Sequence, residues 1–115
     1  MSIHLFRPVV SEAAIEAVSQ VLKSGWTGLG PKTKQFEEDF ARYTGAQYCV
    51  ALNSCTSALH LALCLLDLQE GDEVITTPLT FVSTNHAILY AGATPVFADV
   101  EATTGCLSPK DVESK

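Results

Sequence analysis

From Ser11 onward, Ala14, Ile15, Val18, Val21 and Leu22 recur at helical spacing, with Lys23 in the last turn and Gly25 just beyond. The pattern predicts a helix with one packed and one wet face, opened by a serine cap and stopped by glycine. A second amphipathic helix is predicted over residues 32–43, where Phe36, Phe40 and Tyr43 stand against Glu37, Glu38, Asp39 and Arg42, and Gly45 stops it. Its acidic run reads as a solvated face. Between the two lies SGWTGLGP, residues 24–31, whose glycines and proline exclude regular structure while holding the sole tryptophan, Trp26. Such a loop suits close approach to a ligand, and it equally suits a plain connection anchored by Trp26.

The period then shortens. Residues 48–52, YCVAL, form a short apolar run that stops at Asn53 and Ser54, as a strand does at a turn or cap. From 57 to 66 only His60 interrupts the apolar positions, so a helix buried on nearly all sides is expected, its start facing inward. The first N–H groups of a helix lack internal partners and carry the positive end of its dipole. A buried start therefore needs capping oxygens or an anion, and Ser54, Thr56 and Ser57 supply hydroxyls there. A self-capped helix and a phosphate site both satisfy this pattern.

Gly71 and Asp72 lead into EVITT, residues 73–77, read as a strand ended by Pro78. Residues 80–90 read as a helix stopped by Gly92, and residues 94–100, TPVFADV, as the next strand. Strands alternating with helices imply parallel βαβ connections, whose loops gather at the carboxyl ends of the strands, where ligands bind. On this topology residues 53–57 and 78–81 share one edge, and Phe81 lies beside whatever anion Thr56 and Ser57 hold. Ser108, Pro109 and Asp111 make a strong helix start a few residues from the last one, Lys115. With so few strands leaving faces and edges uncovered, the expectation is the front part of a longer protein.

A chain of 115 residues, 47% of them hydrophobic, has room for one core. Its net charge of −6 opposes the phosphate attraction on which nucleic-acid binding depends. The start, MSIHLFRPVV, has no basic segment leading into a long apolar run, and residues 58–66 are too few to span a bilayer. A cytoplasmic protein with neither nucleic-acid nor membrane partner is expected. Cys49, Cys55, Cys64 and Cys106 contain no CxxC pair, and His4, His60 and His86 are scattered, so no metal site is expected. Cys49 and Cys64 read as small apolar residues. Cys55 sits in the proposed anion loop, where a helix N-terminus favours a thiolate; with no histidine nearby, a backbone role ranks above nucleophilic catalysis.

Taken in order, SGWTGLGP, FEEDFARYTGAQYCVALNSCTSALHLAL and GDEVITTPLTFVSTNHAILYAGATPVFADV resemble the opening third of a DegT-type nucleotide-sugar aminotransferase, and the likeness runs from about Phe6 onward. The resemblance implies an α/β fold, a partial three-layer α/β/α sandwich forming the front of the large domain of a fold-type I pyridoxal-phosphate enzyme. It divides the chain into an N-terminal helix and Gly-rich loop, residues 1–31, and the start of the cofactor-binding domain, residues 32–115. It makes Thr56 and Ser57 the pair that binds the phosphate of pyridoxal 5'-phosphate, with Cys55 beside them in place of a common glycine. Phe81 becomes the aromatic residue stacked on the pyridine ring, and Gly25, Trp26 and Thr27 the loop on the substrate side.

The implied reaction moves an amino group, usually from glutamate, onto a nucleotide-linked keto sugar, in a homodimer. No catalytic residue is assigned, because the family's cofactor-bearing lysine, and the carboxylate that pairs with the ring nitrogen, lie beyond Lys115; Asp99 is rejected for that carboxylate and read as capping a strand end. The alternatives are a relative that works as a sugar dehydratase or a cofactor-dependent regulator, and a small phosphate-binding α/β module. Against the module, the chain has neither GxGxxG nor GxxxxGK[ST] at its first strand-to-helix turn.

Overall fold

The computed structural model describes Ile3 and residues 6–115. His4 and most of the MSIHL start lie outside the described residues. The chain forms two compact units, Met1–Ala51 and Leu52–Lys115.

The first unit is helical. Helix α1, Glu12–Ser24, starts where Ser11 Oγ accepts the Ala14 N–H at 3.2 Å and ends at Gly25, whose φ of 73° places it in the left-handed region. The apolar stripe forms as its spacing predicts, but none of its residues is buried: Ile15, Val18 and Leu22 stay exposed. Amphipathic spacing specifies which face is apolar, whereas burial also needs a facing surface. Helix α2, Pro31–Thr44, begins with proline at its first position, where the absent N–H costs nothing, and ends at left-handed Gly45. The rings of Phe36 and Phe40 meet one turn apart, 5.8 Å between centroids.

Part of the acidic run is solvated, with Asp39 on Arg42 at 2.7 Å and Glu38 on Lys34 at 3.8 Å, both exposed pairs. Glu37 departs from that expectation. It is half-buried, and its carboxylate accepts the Ala51 N–H at 2.8 Å. The segment 48–52 is not the strand that its composition suggests, for it has no ladder partner among the described residues. A strand is defined by its neighbours' hydrogen bonds, and here a side chain answers the Ala51 donor instead.

The second unit opens with α3, Cys55–Cys64, which starts ahead of the expected residue 57 because Ser54 takes the cap. The expected burial is also corrected. No residue of α3 is buried, Leu61 is half exposed, and Cys64 is exposed at its end. Strand β1, Glu73–Thr76, is followed by α4, Ser83–Tyr90, and by β2, Thr94–Phe97, pairing in parallel with Glu73 opposite Thr94 and Thr76 opposite Phe97. Among the described residues the sheet therefore has two strands where three were expected.

The core lies where α4 crosses this pair. Ala87, Ile88, Ala93 and Ala98 are its buried apolar residues and Thr76 its buried polar one. Small side chains predominate because the crossover brings the helix backbone close to the strands. Helix α3 packs against α4, with His60 edge-on to Tyr90 at 5.7 Å. Beyond β2, Asp99 accepts the Val100 N–H on its carboxylate, and Val100 bridges to Leu107. Ser108 then caps the short α5, Pro109–Val112, whose Asp111 carboxylate accepts the Asp99 N–H at 2.7 Å.

One glycine is fixed by contact rather than by backbone angle. A Cβ at Gly30 would lie 2.3 Å from Trp26 Cδ1, whereas one at Gly28 would meet nothing within 4 Å. The Trp26 indole N–H donates to the Leu29 carbonyl at 3.0 Å, holding the ring over Gly30. Gly30→Ala is expected to displace the ring, break that bond and lower stability by about 1–3 kcal/mol. Because Trp26 is the sole tryptophan, its emission reports the change directly; Gly28→Ala should leave the spectrum unaltered. An unshifted spectrum in Gly30→Ala would disprove the contact.

Candidate functional site

The polar residues before α3 form a small closed network. Ser54 Oγ accepts the Ser57 N–H at 3.1 Å and lies 3.0 Å from Ser57 Oγ, while the Ser57 hydroxyl donates to Asn53 Oδ1 at 2.8 Å. The helix start is thus capped by its own side chains, one of the two arrangements its sequence permits. It is also open rather than facing inward. Ser54 and Cys55 are exposed, and Thr56 and Ser57 half-buried.

Self-capping leaves donors over. Ser54 satisfies the Ser57 N–H, and among the described residues the N–H groups of Cys55 and Thr56 have no backbone partner. They carry the positive end of the α3 dipole. The Ser57 hydroxyl is committed to Asn53, so serving an anion requires a rotation about χ1 or a swing of the hydroxyl proton. Asn53, read from sequence as a residue suited to a turn or cap, is therefore the group that holds the Ser57 hydroxyl. Cys55 contributes its backbone and an exposed thiol.

Phe81 stands in the same unit, on the connection from β1 to α4, with 76% of its surface exposed. Its carbonyl accepts the Thr84 N–H at 3.0 Å in the lead-in to α4. The expected helix over residues 80–90 instead begins at Ser83, which leaves Phe81 on the loop. A polar link missed by sequence reading anchors that loop: the buried Thr76 hydroxyl donates to Asn85 Oδ1 at 2.8 Å, and Asn85 Nδ2 donates to the Thr77 carbonyl at 3.3 Å. Asn85 shares a helix face with Ile88, and a polar residue on a core face needs a partner. That spacing is the signal that points to it.

Gly25, Trp26 and Thr27 belong to the first unit. Gly25 closes α1, the Trp26 N–H donates to Ser24 Oγ at 3.2 Å, and Trp26 and Thr27 line a cleft of about 400 Å³ with Gln20, Gly28 and Lys32. Among the described residues no group of three or more His, Cys, Asp or Glu side chains is placed to hold a metal ion. Among the described residues no helix is long and apolar enough to cross a membrane.

The sequence is 49% identical over 107 residues to the spore coat polysaccharide biosynthesis protein SpsC of Bacillus subtilis, covering 93% of this chain and 28% of that protein. It is 50% identical over 98 residues to the UDP-4-amino-4-deoxy-L-arabinose–oxoglutarate aminotransferase of Shewanella sediminis, covering 85% of this chain and 25% of the relative. The PLP form of Spr1654 from Streptococcus pneumoniae superposes with a TM-score of 0.91 at 38% identity, over 99% of this chain and 29% of that one. The chain therefore spans between a quarter and a third of the length of these relatives, and its α/β elements are those of fold-type I aminotransferases. Residues 8–115 match the model of the DegT/DnrJ/EryC1/StrS aminotransferase family, and the chain belongs to that family.

Proposed function

We propose that this chain supplies the phosphate-binding and ring-stacking part of a pyridoxal 5'-phosphate site in an enzyme that transfers an amino group to a nucleotide-linked keto sugar. The observation that carries the reading is the donor set at the open start of α3: the N–H groups of Cys55 and Thr56 beside the hydroxyls of Ser54, Thr56 and Ser57. Amides at a positive helix end together with short hydroxyls are the chemistry that a phosphate dianion requires, so these residues fit the group. Supporting it are the PLP form of Spr1654 and the oxoglutarate aminotransferase name of the Shewanella relative, which points to glutamate as donor.

In this reading residues 32–115 begin the cofactor-binding domain, and Gly25, Trp26 and Thr27 form the family's substrate-side loop. The complete enzyme is a cytoplasmic homodimer. When bound, the cofactor supplies an electron sink for the carbon that loses or gains the amino group. Thr56 and Ser57 bind and orient its phosphate, with Asn53 releasing the Ser57 hydroxyl as the anion arrives. Phe81 contributes an exposed aromatic face that covers the ring and excludes water from it.

This chain binds and orients but does not hold the reacting carbon. Its lysines are all exposed: Lys23 closes α1, Lys32 and Lys34 lie on α2, and Lys110 and Lys115 sit at α5, with Lys115 3.8 Å from Asp111. None has the water-poor surroundings that make an amine nucleophilic toward a carbonyl. Residues 1–115 with pyridoxal phosphate and borohydride should yield only scattered substoichiometric labelling and no glutamate-dependent turnover. One lysine labelled to completion, with turnover, would contradict this.

The binding role has its own test. Ser57→Ala should lower the affinity for both inorganic phosphate and pyridoxal phosphate by about tenfold, since it removes a hydrogen bond to a charged group. Phe81→Ala should weaken pyridoxal phosphate alone, by roughly fivefold. Calorimetric titration separates the two, and unchanged affinities in Ser57→Ala would refute the phosphate role.

A further inference from the structure

We infer that Asn85 is the positioning residue for the ring-covering face of Phe81, acting through the end of β1; the inference rests on the proposed cofactor reading. Phe81 is 76% exposed, so packing does not fix its ring and the loop backbone must. That loop, residues 77–82, is held by a set of short contacts. Asn85 reaches back from α4 to the last residue of β1, accepting from the Thr76 hydroxyl at 2.8 Å, and donates to the Thr77 carbonyl at 3.3 Å. Thr77 Oγ1 accepts the Leu79 N–H at 3.1 Å, and the hydroxyls of Thr80 and Thr84 meet at 3.0 Å across Phe81.

The Asn85 amide is the member of this set that spans loop entry and exit. Thr76 is 5% exposed and lies in the sheet, so its hydroxyl is a rigid reference point. With one oxygen accepting and one nitrogen donating, the amide ties the first turn of α4 to two consecutive residues at the strand end. Aspartate at this position keeps the acceptor but sets a carboxylate oxygen against the Thr77 carbonyl. Alanine removes both bonds and leaves the Thr76 hydroxyl unpartnered in the core.

The role predicts a selective loss. In residues 1–115, Asn85→Ala should reduce pyridoxal phosphate affinity about fivefold, the worth of an aromatic stack, while inorganic phosphate affinity at the start of α3 stays the same. Asn85→Asp should give a smaller selective loss, and either variant should speed amide hydrogen exchange at Leu79 and Thr84 without speeding it in α3. The phosphate arm doubles as a check on folding, because a variant that has come apart loses both ligands. Equal affinities for pyridoxal phosphate in parent and Asn85→Ala, or a loss of both ligands in Asn85→Asp as well, would overturn the positioning role and leave the cofactor reading standing. A parent that binds neither probe would overturn the cofactor reading and the positioning role with it. Unaltered exchange at Leu79 and Thr84 would overturn the positioning role whatever the ligands do.

Discussion

Parallel pairing of β1 with β2 is the constraint on which the second unit depends. Two parallel strands cannot be joined by a tight turn, so the chain between Thr76 and Thr94 has to leave one end of the sheet and return to the other. Helix α4 is that return path, and the requirement that it lie against both strands sets the composition of the core. Ala87, Ala93 and Ala98 are buried there because a larger side chain would push the helix off the sheet, and Ile88 fills the remaining space. The same geometry forces a loop at the carboxyl end of β1. Phe81 stands on that loop as a consequence of topology before any question of chemistry arises.

The features visible in the sequence are those that local physics decides. Ser11, Ser54 and Ser108 each cap a helix, Gly25 and Gly45 stop helices in the left-handed region, and the β1–α4–β2 alternation appears where the periods place it. Reading failed where the outcome depends on partners distant in sequence. Residues 48–52 have strand composition and no ladder; α3 has the apolar content of a buried helix and no buried residue. Composition states what a segment would prefer to bury, whereas a facing surface must be supplied by other residues. The site divides in the same way. Ser54 as the cap on the Ser57 N–H was legible because capping is local. Asn53 as holder of the Ser57 hydroxyl, and Asn85 as holder of the Phe81 loop, depend on side-chain geometry that spacing alone does not give.

The start of α3 carries two competing satisfactions of one set of groups. The Ser54 and Ser57 hydroxyls already have partners, so in the proposed reading an arriving phosphate would exchange existing bonds for stronger ones and gain only the difference. The N–H groups of Cys55 and Thr56 would tip that exchange, because they have no intrachain partner to lose among the described residues. A pre-formed network of this sort holds the loop by its own side chains, which would reduce the ordering cost of binding an anion in the proposed reading.

The bond from Glu37 to the Ala51 N–H bears on how the protein behaves in concentrated solution. Tyr48 and Val50 are exposed on an apolar segment of strand-like composition with no ladder among the described residues, the form of chain that can recruit a strand from a neighbouring molecule. A carboxylate placed on one of its donors blocks that position in any intermolecular ladder and sets a negative charge at the edge. Glu37 therefore obstructs strand pairing at Ala51 as well as serving as a structural tie.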